Sequence, residues 1–189
     1  MSMTLKASLS ATEACDFCRT PLAEPHQHLI EPSTRRLECI CEACAVLFGS
    51  DGQTRYRRIP RRRRYLADFQ LSDLQWNSLM VPIGVAFLYY SSAAGKVVAL
   101  YPSPGGAIES MLPLDSWNDI VKENPVLERL EPDVEGLLVY RVGARRDHFL
   151  IPIDECFKLV GLIRTRWKGL SGGAALWEQV EEFLSRLKK

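Results

Sequence analysis

The sequence predicts an α+β protein: a small cysteine-bound N-terminal module followed by a larger mixed domain of antiparallel hairpins and helices. Three observations carry this reading. Cysteines stand at Cys15-x-x-Cys18 and Cys39-x-Cys41-x-x-Cys44. Apolar, β-prone runs in the middle of the chain come in pairs split by turn signals, and the last fifty residues carry amphipathic stripes of helical period. With 189 residues, 47% hydrophobic and 25% charged, the chain can bury one ordinary core plus a small appended module.

The N-terminal module is placed at residues 13–50. Thiolates at C-x-x-C spacing grip one tetrahedral metal, and two such pairs complete a four-sulfur shell. After Cys15 and Cys18, Pro21 marks a turn. His28-Leu29-Ile30 and Arg36-Leu37-Glu38-Cys39-Ile40 flank Glu31-Pro32-Ser33-Thr34 and read as a hairpin. Cys41 to Phe48 is helix-compatible, with Gly49 where a helix would stop. Knuckle, hairpin, then a helix whose first turn supplies two thiolates is the treble-clef order; a two-knuckle zinc ribbon is the nearest rival.

Matched pairs make Cys15, Cys18, Cys41 and Cys44 the expected metal ligands. Cys39 is a spare, able to replace Cys41, to support the site from outside, or to contribute to another metal. His26 and His28 share one face of an extended segment and form a His-x-His pair able to ligate, although such histidines more often hydrogen-bond or face solvent. Zinc is the expected occupant because four thiolates suit it without redox demands; the alternative is iron in a rubredoxin-like shell. Five of the six cysteines fall within residues 15–44 while Cys156 stands alone, which fits metal ligation in a reducing compartment better than a disulfide framework.

Residues 51–64 read as an arginine-rich linker or docking strip. Arg55, Arg57, Arg58, Arg61, Arg62, Arg63 and Arg64 place seven guanidiniums in ten positions. Residues 1–64 carry 11 basic against 7 acidic side chains and residues 65–189 carry 13 against 16, so the acids of the larger domain offer an internal counterpart through Glu128, Glu131, Asp133 and Glu135. Pro60 interrupts the run, and only Tyr56 and Tyr65 accompany it, which disfavours a stacking platform for nucleic acid.

The α+β domain is placed at residues 65–189. Ser72-Asp73-Leu74-Gln75 has capping-box form ahead of a short helix that ends by Pro82. Gly84–Tyr90 and Lys96–Tyr101 form a hairpin, and Pro102-Ser103-Pro104-Gly105-Gly106 is expected to force the chain out of the second strand. Leu114, Trp117, Ile120 and Val121 recur at helical spacing before Asn124-Pro125. Residues 137–142 and 148–153 form another hairpin. Two C-terminal helices follow, the first with Asp154 as its expected cap and Cys156 inside its apolar stripe, the second after Gly169–Gly173.

Other constellations are weaker. Lys168 to Gly173 lacks the order of a phosphate-binding loop and reads as a turn, and Ser103, Ser171 and His148 carry no nucleophile signature. No stretch reaches the length of a membrane span, and Met1 to Thr12 lacks the pattern of a secretion signal, so the expected location is cytoplasmic.

Cys15-Asp-Phe-Cys18-Arg-Thr-Pro-Leu22, His26-x-His28-Leu29, Leu37-Glu-Cys39-Ile-Cys41-Glu-Ala-Cys44, Tyr101-Pro-Ser-Pro104, Pro132-Asp-Val-Glu135, Ile151-Pro-Ile-Asp154, Leu159-Val-Gly-Leu-Ile-Arg164 and Gly169-Leu-Ser-Gly-Gly173 together resemble, over nearly the whole chain, a bacterial family classified only as a domain of unknown function. The resemblance implies a setting in actinobacterial-type nickel–iron hydrogenase gene clusters and an accessory or assembly role. It implies no catalytic residue. The expected function is a non-enzymatic zinc-binding accessory protein with a protein partner, such as a hydrogenase subunit or maturation factor. An iron-binding redox or metal-delivery protein and a nucleic-acid-binding zinc protein are the alternatives.

Overall fold

The computed structural model describes residues 13–49, 55–110, 114–169 and 172–188, and the chain divides into two compact units between Arg58 and Ile59.

The first unit begins with a knuckle. Ala14 bridges Pro21, the Cys15 amide donates to Thr20 O at 2.8 Å, and Arg19 adopts φ 63° to turn the chain back. Strands β1 (Gln27–Glu31) and β2 (Arg36–Ile40) follow as an antiparallel hairpin with His28 opposite Cys39. Its turn is held by Glu31, whose carboxylate accepts from Thr34 Oγ1 at 2.8 Å and whose carbonyl accepts from the Arg35 amide at 2.8 Å. Helix α1 (Glu42–Phe48) starts at Cys41, which is extended at the N-cap position. It stops at Gly49, whose amide donates to Ala45 O; a Cβ there would stand 2.6 Å from that same oxygen, so the close approach requires glycine. Strand β3 (Arg57–Arg58) pairs with β1, giving the sheet order β2-β1-β3. Cys15, Leu29, Ile40, Cys44 and Ala45 form the core, with Phe17, Leu22 and Tyr56 packed at its edge. Knuckle, hairpin and helix thus follow the treble-clef order.

The second unit is one antiparallel six-stranded sheet of order β4-β9-β8-β5-β6-β7. In chain order its elements are β4 (Arg64–Tyr65), α2 (Asp73–Ser78), β5 (Val85–Ser91), β6 (Lys96–Ser103), β7 (Gly106–Ser110), α3 (Leu114–Glu123), a 3-10 turn (Pro125–Arg129), β8 (Glu135–Tyr140), β9 (Asp147–Pro152), α4 (Ile153–Arg166) and α5 (Ala174–Leu187). Leu88, Val97, Ala99, Leu137, Val139 and Leu150 face one way and pack with Leu79, Trp117, Ile120 and Leu127. Alternate positions face the other way, where Phe87 meets Phe157 of α4 edge-on and Cys156 Sγ would lie 3.4 Å from a Cβ at Gly136. Every residue of β8 and β9 is buried, which is why these strands read as apolar runs rather than as alternation.

As expected, the chain leaves the second strand at Pro104 and Gly105; it turns there into β7, and Ser103 Oγ stabilises that turn by donating to Gly106 O at 2.9 Å and accepting from the Gly105 amide at 3.1 Å. Two local expectations are corrected. Asp154 lies within α4 rather than capping it, because the helix begins at Ile153 directly after Pro152. Arg57–Arg58 and Arg64–Tyr65 of the arginine run are short strands of the two sheets. The Ser72–Gln75 capping box is present as read, with both reciprocal hydrogen bonds.

Candidate metal centre

The knuckle presents Cys15 and Cys18 from one loop, and the start of α1 presents Cys41 at the N-cap and Cys44 three residues on, one turn up the helix. The Ala45 amide, donating to Cys41 O at 2.9 Å, closes that first turn. The four sulfurs all lie within 4.8 Å of one another, and Cys18 Sγ stands 3.6 Å from Cys41 Sγ. Tetrahedral thiolates at the usual metal distance of about 2.3 Å put neighbouring sulfurs roughly 3.8 Å apart. The arrangement therefore has the dimensions of a four-sulfur metal shell, and none of the described cysteines is in a disulfide.

The surroundings differ from sulfur to sulfur. Burial opposes ionisation of Cys15, but the backbone amides of Cys18, Cys41 and Phe17 aimed at its sulfur outweigh that and lower its pKa. Cys18 is lowered to about 6, first by the Thr20 hydroxyl and amide and then by the neighbouring thiols; Thr20 Oγ1 stands 3.3 Å from its sulfur. Burial, then contact with the other three thiols, pushes Cys44 up to about 12. Four close thiolates repel one another, and a divalent cation at their centre removes that repulsion while satisfying all four.

Cys39 does not join them. It lies across the hairpin from His28, and its sulfur, a nitrogen of His28 and a nitrogen of His26 form a separate group whose atoms lie within 4.8 Å of one another. The hairpin register produces this: His26 and His28 are two residues apart along one chain and Cys39 is the cross-strand neighbour of His28, so all three fall on one face. Asp16 of the knuckle clamps the Cys39 backbone from both sides, its amide donating to Cys39 O at 2.8 Å and its carboxylate accepting from the Cys39 amide at 2.7 Å. Neither Asp16 nor Thr20 stood out in the sequence; their position inside or just after the C-x-x-C loop was the available signal.

The arginine run is divided. In the first unit Arg55 pairs with Glu31 and Arg58 with Glu42. In the second unit Arg62 forks onto Glu135 and also reaches Glu131 at 2.7 Å, while Arg63 pairs with Glu155 at 2.8 Å. Of the acids expected to face the run, Asp133 instead accepts from the Ser92 amide at 2.7 Å. A cavity of about 490 Å³ lies beside Arg62, Arg64 and Arg129.

The remaining candidates do not assemble. His148 is buried in β9 against Phe69, and Ser103 is in the β6–β7 turn. Ser171 lies outside the described residues. Cys156 is buried within α4 and its thiol is pushed up by that burial and by Asp154 and Glu155.

The profile of a family of unknown function, DUF5947, matches residues 14–189. The chain belongs to the DUF5947 family. Its match begins one residue before Cys15 and runs through both units, so the clustered cysteines and the six-stranded sheet lie inside one DUF5947 sequence pattern. No curated protein and no solved structure matches the chain. Among the described residues no helix is long and apolar enough to cross a membrane.

Proposed function

We propose that this protein is a zinc-binding accessory protein that acts by docking a protein partner rather than by catalysis. One observation carries the reading: Cys15, Cys18, Cys41 and Cys44 converge from a knuckle and a helix start to within 4.8 Å, the donor set and spacing of a structural zinc finger. Four thiolates close the coordination shell, so the metal serves folding and leaves no position for substrate. The helix that supplies Cys44 also displays exposed Val46 and Leu47, apolar side chains of the kind that mark contact surfaces. Arg62 and Arg63 have acidic neighbours within their own unit, so an acidic partner would meet other members of the run, such as the exposed Arg61 and Arg64. The resemblance drawn from the sequence supports a particular partner class, a subunit or maturation factor of a nickel–iron hydrogenase.

Elemental analysis of the purified full chain tests the metal. One zinc per chain in a colourless protein is expected, with zinc lost in Cys15→Ser, Cys18→Ser, Cys41→Ser and Cys44→Ser. A red or brown protein with a thiolate-to-iron absorption band supports the iron reading instead. Capture with the native chain and with Val46→Asp/Leu47→Asp then tests the partner: a hydrogenase component retained by the first and lost by the second is the expected pair of results, and an unchanged capture removes α1 as the contact.

A further inference from the structure

We infer that His26, His28 and Cys39 form a second metal site, distinct from the tetrathiolate centre and open at one coordination position. The three donor atoms lie within 4.8 Å of one another, and the two imidazoles are in edge contact at 4.7 Å between ring centroids. The His26 side chain is only 7% exposed, yet both of its ring nitrogens are buried without a hydrogen bond. A buried imidazole in that state carries a desolvation cost that a metal bond would offset.

The surroundings of His26 match what ligating histidines require. Glu24 Oε1 stands 3.3 Å from Nδ1 and Glu13 Oε2 stands 3.6 Å from Nε2. With either nitrogen on a metal, a carboxylate remains beside the other to receive its N–H, which fixes the tautomer and strengthens the donor. Two imidazoles and one thiolate suit a borderline first-row divalent ion such as Zn²⁺ and exclude hard ions such as Mg²⁺ or Ca²⁺. Three protein ligands leave the fourth tetrahedral position to water or to an exchangeable ligand. Binding converts the Cys39 thiol to thiolate and releases its proton to solvent. The site therefore loads and unloads more readily than the closed four-sulfur centre, and Asp16, which joins the knuckle to the Cys39 backbone, makes its geometry depend on the first centre being formed.

Cobalt(II) titration of the metal-stripped full chain, followed by absorption spectroscopy, tests this. Two equivalents are expected: one with the intense sulfur-to-metal band of a tetrathiolate, and a second, more weakly held, with a smaller band from a single thiolate. Cys39→Ser and the His26→Gln/His28→Gln double variant should each bind one equivalent and keep the tetrathiolate spectrum unchanged. Saturation of the wild type at one equivalent overturns the proposal, as does a second equivalent retained in both variants. Loss of the tetrathiolate signature in Cys39→Ser also overturns it, because Cys39 would then serve the first centre. Absence of any tetrathiolate band in the wild type, with the second equivalent present, would instead remove the structural-zinc reading and leave this one standing.

Discussion

At the centre of the first unit, among the described residues, clustered Cys15 and Cys44 pack in one buried cluster with Leu29, Ile40 and Ala45. The second unit buries a six-stranded sheet on both faces, with Phe87, Tyr89, Tyr140 and Phe149 among its largest enclosed side chains. A module this small cannot remove enough apolar surface from water to offset its conformational entropy, and metals or disulfides make up the difference in natural domains of such size. The larger unit needs no such device. One chain therefore joins a unit whose clustered thiols suit an ion to one held by buried area.

The strongest way to break that contrast is to remove the ion. Chelation of the full chain should unfold residues 13–58 and leave the second unit cooperatively folded, because metal binding supplies most of the small unit's folding free energy. Hydrogen exchange followed by mass spectrometry reads the two parts separately. Protection lost in β1, β2 and α1 but kept in β5, β8 and β9 is the expected pattern. A single loss across both units would show that they fold as one.

Acid should act on the second unit through one buried histidine. His148 is 5% exposed; burial, then the nearby Arg141 guanidinium and Arg146, lower its pKa from 6.5 to about 4, with Asp147 opposing only in part. The unfolded chain takes up this proton as pH falls through about 6.5, whereas the folded unit resists until about 4. The stability His148 supports is therefore complete above that upper pH and declines as pH falls through the window, by about 3 kcal/mol. Below it Asp147 takes over: burial raises its pKa, but hydrogen bonds from Lys188, Arg145 and Tyr65 hold it down overall, so its contribution is lost only at lower pH. Urea midpoints of His148→Gln should be nearly flat between pH 6.5 and 4 and still fall below that range. A wild-type slope retained in the variant would assign the titration to another group.

How much of this was legible beforehand differs between the two units for physical reasons. Local chemistry dominates the first: C-x-x-C spacing, the hairpin around residues 32–35 and the helix at Cys41 each follow from neighbours in sequence, so the order of elements could be read directly. The companion of Cys39 could not, because it depends on the register that sets His28 opposite it. In the second unit the long hairpins and the C-terminal helices were readable from periodicity. β4 and β7 were not: Arg64–Tyr65 and Gly106–Ser110 have little intrinsic preference for a strand, and only pairing with β9 and β6 makes them so. The capping role expected of Asp154 failed because Pro152 already ends the strand and starts the helix, placing the acid in its first turn.

The smallest effect expected is that of the arginine run, and it sharpens the contrast. Arg62 donates through Nε to Glu135 Oε1 at 2.5 Å and through Nη2 to Glu135 Oε2 at 2.9 Å, a planar fork that lysine could not reproduce. Its side chain is 60% exposed whereas that of Glu135 is 6% exposed, so solvent weakens the attraction on one side while burial raises the cost of an unpaired carboxylate on the other. Arg62→Gln should accordingly lower the stability of the second unit by only about 1 kcal/mol, an effect that shrinks as salt is added. The Glu131 amide, 3.1 Å from Glu135 Oε2, remains to hold that carboxylate. Metal content should not change, since every residue of the pair lies in the unit that does not carry the clustered cysteines. Arg55→Gln, which removes the partner of Glu31, should conversely lower the chelation resistance of the first unit and leave the urea midpoint of the second untouched. If either variant moves the other unit's transition, the run couples the two, and its density of charge has a role in communication that pairing within each unit does not explain.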